Sequence, residues 1–254
     1  MTYTKLGPRA LYYTLCQYGV SRKSFCNPYI ACLGGSETFG QSVHAPFPIL
    51  TERLIGQNMV NLGVTHAGPD LYLKDDAVID IARRAQLCVL QIMGAHNMSN
   101  PYYKVHPRRN DRFTKALPAL VDLFPEVDFT GFHYTKHLLH HLNVMDCDRF
   151  ERITTALRKT WCDKMKRLLT VIDRPTVLLW MQNTPASFSF DSDPLFVTQS
   201  DISSLKPQVL AISRYRRCST PTAYAKYQFF DALDQDCHAE ISMRLAVDIL
   251  MHVA

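Results

Sequence analysis

Three short apolar runs in the N-terminal part of the chain each end at glycine: Tyr29 to Gly34, Met59 to Leu62 before Gly63, and Leu87 to Met93 before Gly94. A run this short, mostly apolar and without alternation, suits a strand buried on both faces, which is the strand of a parallel sheet. The segments between the runs read as helices. Ile49–Ile55 has prolines near its start and Gly56 after its end, and Ala77–Ala85 follows the second run. Strand, helix, strand, helix, strand, with glycine at each strand's carboxyl end, predicts a parallel sheet with right-handed crossovers.

The rest of the chain extends the pattern. Residues 95–127 read as a long polar and basic loop. Phe132–Val144 and Arg149–Val171 read as helices, the second with Ile153, Leu157, Trp161, Met165 and Leu168 on one stripe. Thr176–Met181 and Val209–Ser213 are the fourth and fifth strands, and Ala239–Val253 is a final helix. A short helix is expected near Leu11, Tyr12, Leu15 and Cys16. The 254 residues, 47% of them hydrophobic, are enough for one large α/β domain. The predicted fold is a three-layer α/β/α sandwich around a mainly parallel five-stranded sheet. It forms a single domain over 1–254, with a helical and basic-loop insertion at about 95–172.

No apolar run approaches the ~20 residues a membrane span needs, and Met1 to Tyr18 has no apolar leader segment. The eight cysteines are irregularly spaced without a C-x-x-C pair, and Cys32 and Cys88 fall inside apolar runs. A reduced, cytoplasmic protein is the expectation. The net charge of +5 points to an anionic partner only where the charge is concentrated.

In open α/β sheets, ligands bind at the carboxyl ends of the strands. The first such end here is Gly34-Gly35-Ser36-Glu37-Thr38-Phe39-Gly40. Its glycines let the backbone turn sharply and present the Ser36 hydroxyl and neighbouring N–H groups. Read alone, the stretch is a nucleophile turn, a ligand-cradling turn or a plain strand end.

Taken with two later turns and the C-terminal region, the stretch resembles the first block of the SGNH/GDSL hydrolase superfamily, G-D-S-x-T-x-G. Serine, threonine and the last glycine match, and Gly35 replaces the aspartate. The second block's glycine corresponds to Gly63. The third, G-x-N-D, corresponds to Gly94-Ala95-His96-Asn97, with the asparagine one position late. The last, D-x-x-H, corresponds to Asp234-Gln235-Asp236-Cys237-His238, where Gln235 stands three before the histidine and aspartates flank it. Gly34–Gly40, with Met98-Ser99-Asn100 and His106-Pro107-Arg108-Arg109-Asn110-Asp111-Arg112-Phe113, also resembles an uncharacterised bacterial family grouped near these hydrolases.

The resemblance implies an SGNH-like, flavodoxin-like topology and acyl transfer through serine, with no cofactor and no metal. Ser36 would be the nucleophile and His238 its base, because a serine hydroxyl needs a group titrating near neutrality to take its proton. Asp234 or Asp236 would orient the imidazole. The N–H groups of Ser36 and Gly63 and the Asn97 amide would hold the oxyanion. His96 is assigned to substrate binding.

Two further clusters complete the reading. His133, His137 and His141 share a helix face at i, i+4, i+8, with His140 beside them. Without H-E-x-x-H or an acidic residue between them, they read as a polar face rather than a metal site. The loop Lys104–Arg112 sets Lys104, Arg108, Arg109 and Arg112 against Asp111 and follows the third strand. It is either an anion-binding rim or a solvated surface. Arg214, Arg216 and Arg217 form a second basic cluster after the fifth strand, and the aromatic run Tyr224 to Phe230 reads as packing. Without a nucleic-acid motif or basic stripe, a small-molecule or carbohydrate ester is the expected partner, with no nucleic acid and no membrane. The expected activity is that of a serine esterase or deacylase acting on an anionic O-acyl ester. The rivals are an acyltransferase on the same scaffold and a catalytically silent binding protein.

Overall fold

A computed structural model describes residues 28–182, 190, 192–216 and 233–253. The expected helix near Leu11 and the aromatic run at 224–230 lie outside them. Five parallel strands form the central sheet: β1 (Tyr29–Leu33), β2 (Asn58–Asn61), β3 (Leu87–Gln91), β6 (Thr176–Gln182) and β7 (Ala211–Arg216), in the order β2-β1-β3-β6-β7. The register pairs Ile30 with Met59 on one side and with Leu87 on the other, and Val89 with Val177. All five expected strands are present, with ends displaced by up to three residues.

Each strand feeds two cores. Ala31, Leu33, Cys88, Leu90, Leu178 and Trp180 face one side, where they meet α3 (Pro69–Leu73), α4 (Asp76–Arg84) and α7 (Cys147–Ile172). Ile30, Cys32, Leu87, Val89, Val177 and Leu179 face the other, against α2 (Phe47–Ile55) and α9 (Gln235–Val253). Side chains alternate across a strand, so a strand with helices on both sides is apolar at every position. The α7 stripe predicted from its spacing, Ile153, Leu157, Trp161, Met165 and Leu168, is fully buried. Residues 95–172, expected as an insertion, therefore supply a main layer of the sandwich.

Smaller elements depart from expectation. The polar stretch after β3 holds an antiparallel hairpin, β4 (Tyr103–Val105) with β5 (Phe113–Ala116), followed by α5 (Pro118–Leu123). Helix α6 (Thr135–Met145) starts after His133, and α8 (Gln199–Ser203) carries a Thr198–Asp201 capping box. Arg214 and Arg216 lie within β7 rather than after it, and Arg217 is outside the described residues. Helix α9 begins at Gln235, so His238 is in its first turn and not in a preceding loop. No helix among the described residues is long and apolar enough to cross a membrane.

Candidate active site at the β1–β3 crevice

With the order β2-β1-β3, the chain leaves β1 in one direction and returns on its other side. The carboxyl ends of β1 and β3 therefore flank a topological switch point, where loops diverge and leave a crevice. Gly34 to Gly40 leaves β1 there, and Gln91 to Asn97 leaves β3.

Gln91 organises the first loop. It is the one polar side chain in an otherwise apolar run and is 2% exposed. Its Oε1 accepts from the Gly35 N–H at 2.8 Å, the Thr38 N–H at 3.3 Å and the Thr38 hydroxyl at 2.5 Å. Its Nε2 donates to Glu37 Oε2 at 2.6 Å. Gly34 must be glycine, because a Cβ there would collide with the Thr38 hydroxyl and the Gln91 side chain. These contacts fix the turn into α1 (Ser36–Phe39), whose first residue is the partly exposed Ser36.

The loop after β2 completes the contact. The His66 backbone N–H donates to Ser36 Oγ at 3.0 Å, from a residue held at φ 56°. Left-handed backbone is uncommon for a residue with a side chain and recurs at functional sites. Gly63, expected to supply an oxyanion donor, directs its N–H to Asn61 Oδ1 at 2.9 Å, while Asn61 Nδ2 donates to the Thr38 carbonyl at 2.7 Å. The backbone N–H that reaches Ser36 Oγ is that of His66. Asn97 is 7% exposed; its Nδ2 donates to the His66 carbonyl at 3.4 Å and its Oδ1 accepts from the Thr135 hydroxyl at 3.0 Å.

Ionisable groups surround this centre. The His96 ring folds over Gly94, and its Nδ1 is buried without a hydrogen-bond partner among the described residues. Burial lowers its pKa to about 3, with the charges of Lys136 and His66 acting in the same direction, so the imidazole is neutral. Asp193 lies on a turn pinned by the Ala95 N–H donating to the Leu195 carbonyl at 2.9 Å. Burial, and then the Glu37 carboxylate, push its carboxyl well above the usual range, with Lys136 opposing. Glu37, His66, Lys136, Asp193 and the loop-setting Gln91 were not singled out in the sequence. Only Gln91 carries a signal there, as the polar interruption of a buried strand.

His238 is held against the start of α2. It is 1% exposed, with its ring stacked on Phe47 at 6.0 Å between centroids. Its Nδ1 accepts the Phe47 N–H at 3.1 Å, so the ring proton is on Nε2. A serine base oriented by a carboxylate carries its proton on Nδ1 and accepts through Nε2, the opposite tautomer. Burial lowers the pKa to about 4 against the pull of Asp234. Asp234 is exposed and accepts the Cys237 N–H at 2.8 Å. Gln235 clasps Ala45, donating to its carbonyl at 2.8 Å and accepting its N–H at 3.2 Å. Asp236 is exposed. Among the described residues, no hydrogen bond joins Ser36 and His238.

The basic stretch runs from Lys104 in β4 through the tip of the β4–β5 hairpin. Lys104, Arg108, Arg109 and Arg112 are all exposed. Arg109 pairs with Asp111 at 3.2 Å, and Arg112 lies over Tyr134 at 5.7 Å. The Arg108 guanidinium has no partner among the described residues. His137 and His141 pack against Phe132, and His140 against Phe190. No group of three or more metal-ligating side chains occurs among the described residues. Arg214 stacks on Trp180 and donates to Gln199 Oε1 at 2.7 Å.

No curated protein matches the sequence. Similar solved structures include a protein described as lipolytic, of the G-D-S-L family, from Desulfitobacterium hafniense DCB-2, at 11% identity over 87% of this chain and 99% of that one, TM-score 0.49. The lipase Lip_vut3 from a goat rumen metagenome is 12% identical over 87% and 97%, TM-score 0.48. A family two carbohydrate esterase from Clostridium thermocellum, in complex with cellohexaose, is 10% identical over 89% and 65%, TM-score 0.49. A family model matches residues 1–248, nearly the whole chain, which therefore belongs to the family described as Domain of unknown function (DUF6473).

Proposed function

We propose that the protein is a serine-dependent ester hydrolase of SGNH-like chemistry, with Ser36 as nucleophile. The observation that carries this is the His66 N–H held on Ser36 Oγ at the switch-point crevice. An acyl carbon bonded to Oγ would develop its negative oxygen beside that N–H, where a fixed donor stabilises the transition state more than the ground state. The Ser36 N–H and the Asn97 amide are the companion donors, and His66 replaces Gly63. Removing one such donor typically costs about 3 kcal/mol of transition-state stabilisation.

The base is His238, oriented by Asp234, whose charge acts on the ring. For Nε2 to accept the Ser36 proton, the ring must first leave the Phe47 N–H and turn. The Phe47-bound ring is then the resting state of the base. On hydrolysis, the Ser36 proton passes to the imidazole and then to the leaving alcohol, and water repeats the sequence in reverse order. The substrate is an O-acyl ester of a small molecule or carbohydrate bearing a negative charge, met by Arg108 at the hairpin tip. An acyltransferase would differ only in taking a hydroxyl acceptor in place of water.

One observation favours a second reading, a silent ligand-binding protein: His238 is buried in the wrong tautomer for a base. Turnover of p-nitrophenyl acetate separates the two. Hydrolysis that disappears in Ser36→Ala supports the esterase, and a folded wild-type protein without hydrolysis supports the binder. Turnover that rises with an added alcohol supports the transferase.

A further inference from the structure

The motif His106 to Phe113 contains one fully buried polar side chain, and it has no role in the chemistry above. Asn110 is fully buried at the hairpin tip and uses both ends of its amide. Its Oδ1 accepts from the Gly68 N–H at 3.0 Å and the Leu71 N–H at 3.2 Å. Its Nδ2 donates to the His106 carbonyl at 3.0 Å and the Pro107 carbonyl at 3.4 Å. The two acceptor bonds go to the end of the loop that follows β2 and to the helix α3 it enters, and the two donor bonds go to the basic tip. An amide has two donor and two acceptor positions, and all are satisfied.

Both connected segments end at functional groups. Gly68 is two residues from His66, and no side chain fits at Gly68, because a Cβ would run into the Asn97 carbonyl. Fixing the Gly68 N–H therefore fixes the turn that aims the His66 N–H at Ser36. On the other side, His106 Nδ1 accepts from the N–H groups of Arg108 and Arg109 at 3.3 and 3.2 Å, and the Arg112 N–H returns to the Arg109 carbonyl at 2.9 Å. The tip is a closed turn with Arg109 tied to Asp111 and Arg108 left for solvent or ligand.

We propose that Asn110 is a positioning residue that holds the His66 donor on Ser36 and the Arg108 tip from one buried amide, so that the site selects esters carrying an anionic group away from the acyl carbon. This rests on the reading of Ser36 as nucleophile. Joining the two segments fixes the span between the reacting carbonyl and the anion contact, and a span held rigid converts remote binding into orientation at the reacting centre.

The test compares Asn110→Ala and Asn110→Asp with wild type by hydrogen exchange and by kinetics on matched anionic and neutral esters. Alanine removes all four bonds. Aspartate keeps the acceptor to Gly68 and Leu71 and loses the donors to His106 and Pro107. In Asn110→Ala, exchange should rise in 64–71 and 104–112 together and stay unchanged in α9, with kcat lowered at least about tenfold. In Asn110→Asp, kcat for the neutral ester should recover, while the KM advantage of the anionic ester is lost. If alanine does not yield folded protein, the aspartate variant decides alone. Equal loss on both esters in Asn110→Asp, or exchange rising across the whole chain, overturns the proposal. The exchange pattern judges the coupling even if wild-type Ser36 proves unreactive; in that case the reading of Ser36 fails separately.

Discussion

The two halves of the expected catalytic pair stand in opposite physical states. Ser36 is partly exposed, and its turn is pinned by Gln91, Asn61 and the His66 N–H. Around His238 the side chain is buried and serves the junction of α2 and α9, together with Gln235. The first region is built to present a hydroxyl. The second is built to satisfy a helix-start N–H that has no partner within its own helix. His238 meets the packing demand here, and the base role proposed for it requires the ring to leave that contact.

Substitutions on either side should separate these roles. The largest effect is expected at Gln91. Gln91→Leu leaves the Gly35 N–H, the Thr38 N–H and the Thr38 hydroxyl without their shared acceptor. Unsatisfied buried groups cost about 1–3 kcal/mol each, so the loss from the three should be about 3–9 kcal/mol by urea unfolding. Reaction at Ser36 should fall with it. A stable Gln91→Leu with normal reactivity would mean that the turn does not depend on this amide.

His238→Ala should cost roughly 2–4 kcal/mol, because it strands the Phe47 N–H and leaves a cavity against its ring. This reverses the expectation for a residue in an open cleft, whose removal would leave stability unchanged. His238→Gln, which retains an acceptor, should lose less stability but the same activity.

The same burial predicts a pH dependence. The His238 pKa falls from 6.5 to about 4 on folding, so the folded state resists protonation. Stability from this group is fully present above the unfolded value and is lost as pH falls through the folded one. The loss amounts to roughly 3 kcal/mol between these limits. Unfolding midpoints followed from neutral to acid pH should show this slope, with His238→Gln shallower. A slope unchanged in the variant would assign acid sensitivity to other groups, His96 first among them.

The smallest effect is expected at the hairpin tip. Arg108→Ala should weaken an anionic ester roughly tenfold in KM and leave a neutral one alone. Arg109→Ala should act more weakly and without regard to substrate charge, since Arg109 is committed to Asp111. Added salt should lessen the Arg108 effect. Equal behaviour of the two variants on both esters would make the tip a solvated surface.

The sheet was legible because strands buried on both faces are apolar at every position, as Leu87 to Leu90 are. The hairpin was not. Tyr103-Lys104-Val105 and Phe113-Thr114-Lys115-Ala116 are short, and their outward lysines place them in a polar context. At the site, Ser36 could be read from its flanking glycines. The His66 contribution could not, because it is a main-chain N–H whose aim depends on φ and on Asn110, 42 residues from Gly68 in the chain. The burial of His238 was hidden by the start of α9. The helix starts at Gln235, four positions before Ala239, where apolar periodicity first suggests it, and that interval places the ring against Phe47 rather than in a loop.

The central claim is that Ser36 is an assembled nucleophile. Intact-mass analysis after a fluorophosphonate probe, with mapping of the labelled peptide, tests it most directly. The account predicts a single adduct on Ser36 in the wild-type protein and none in Ser36→Ala. An adduct on another serine, or a folded protein that takes no label while hydrolysing an ester, would contradict it.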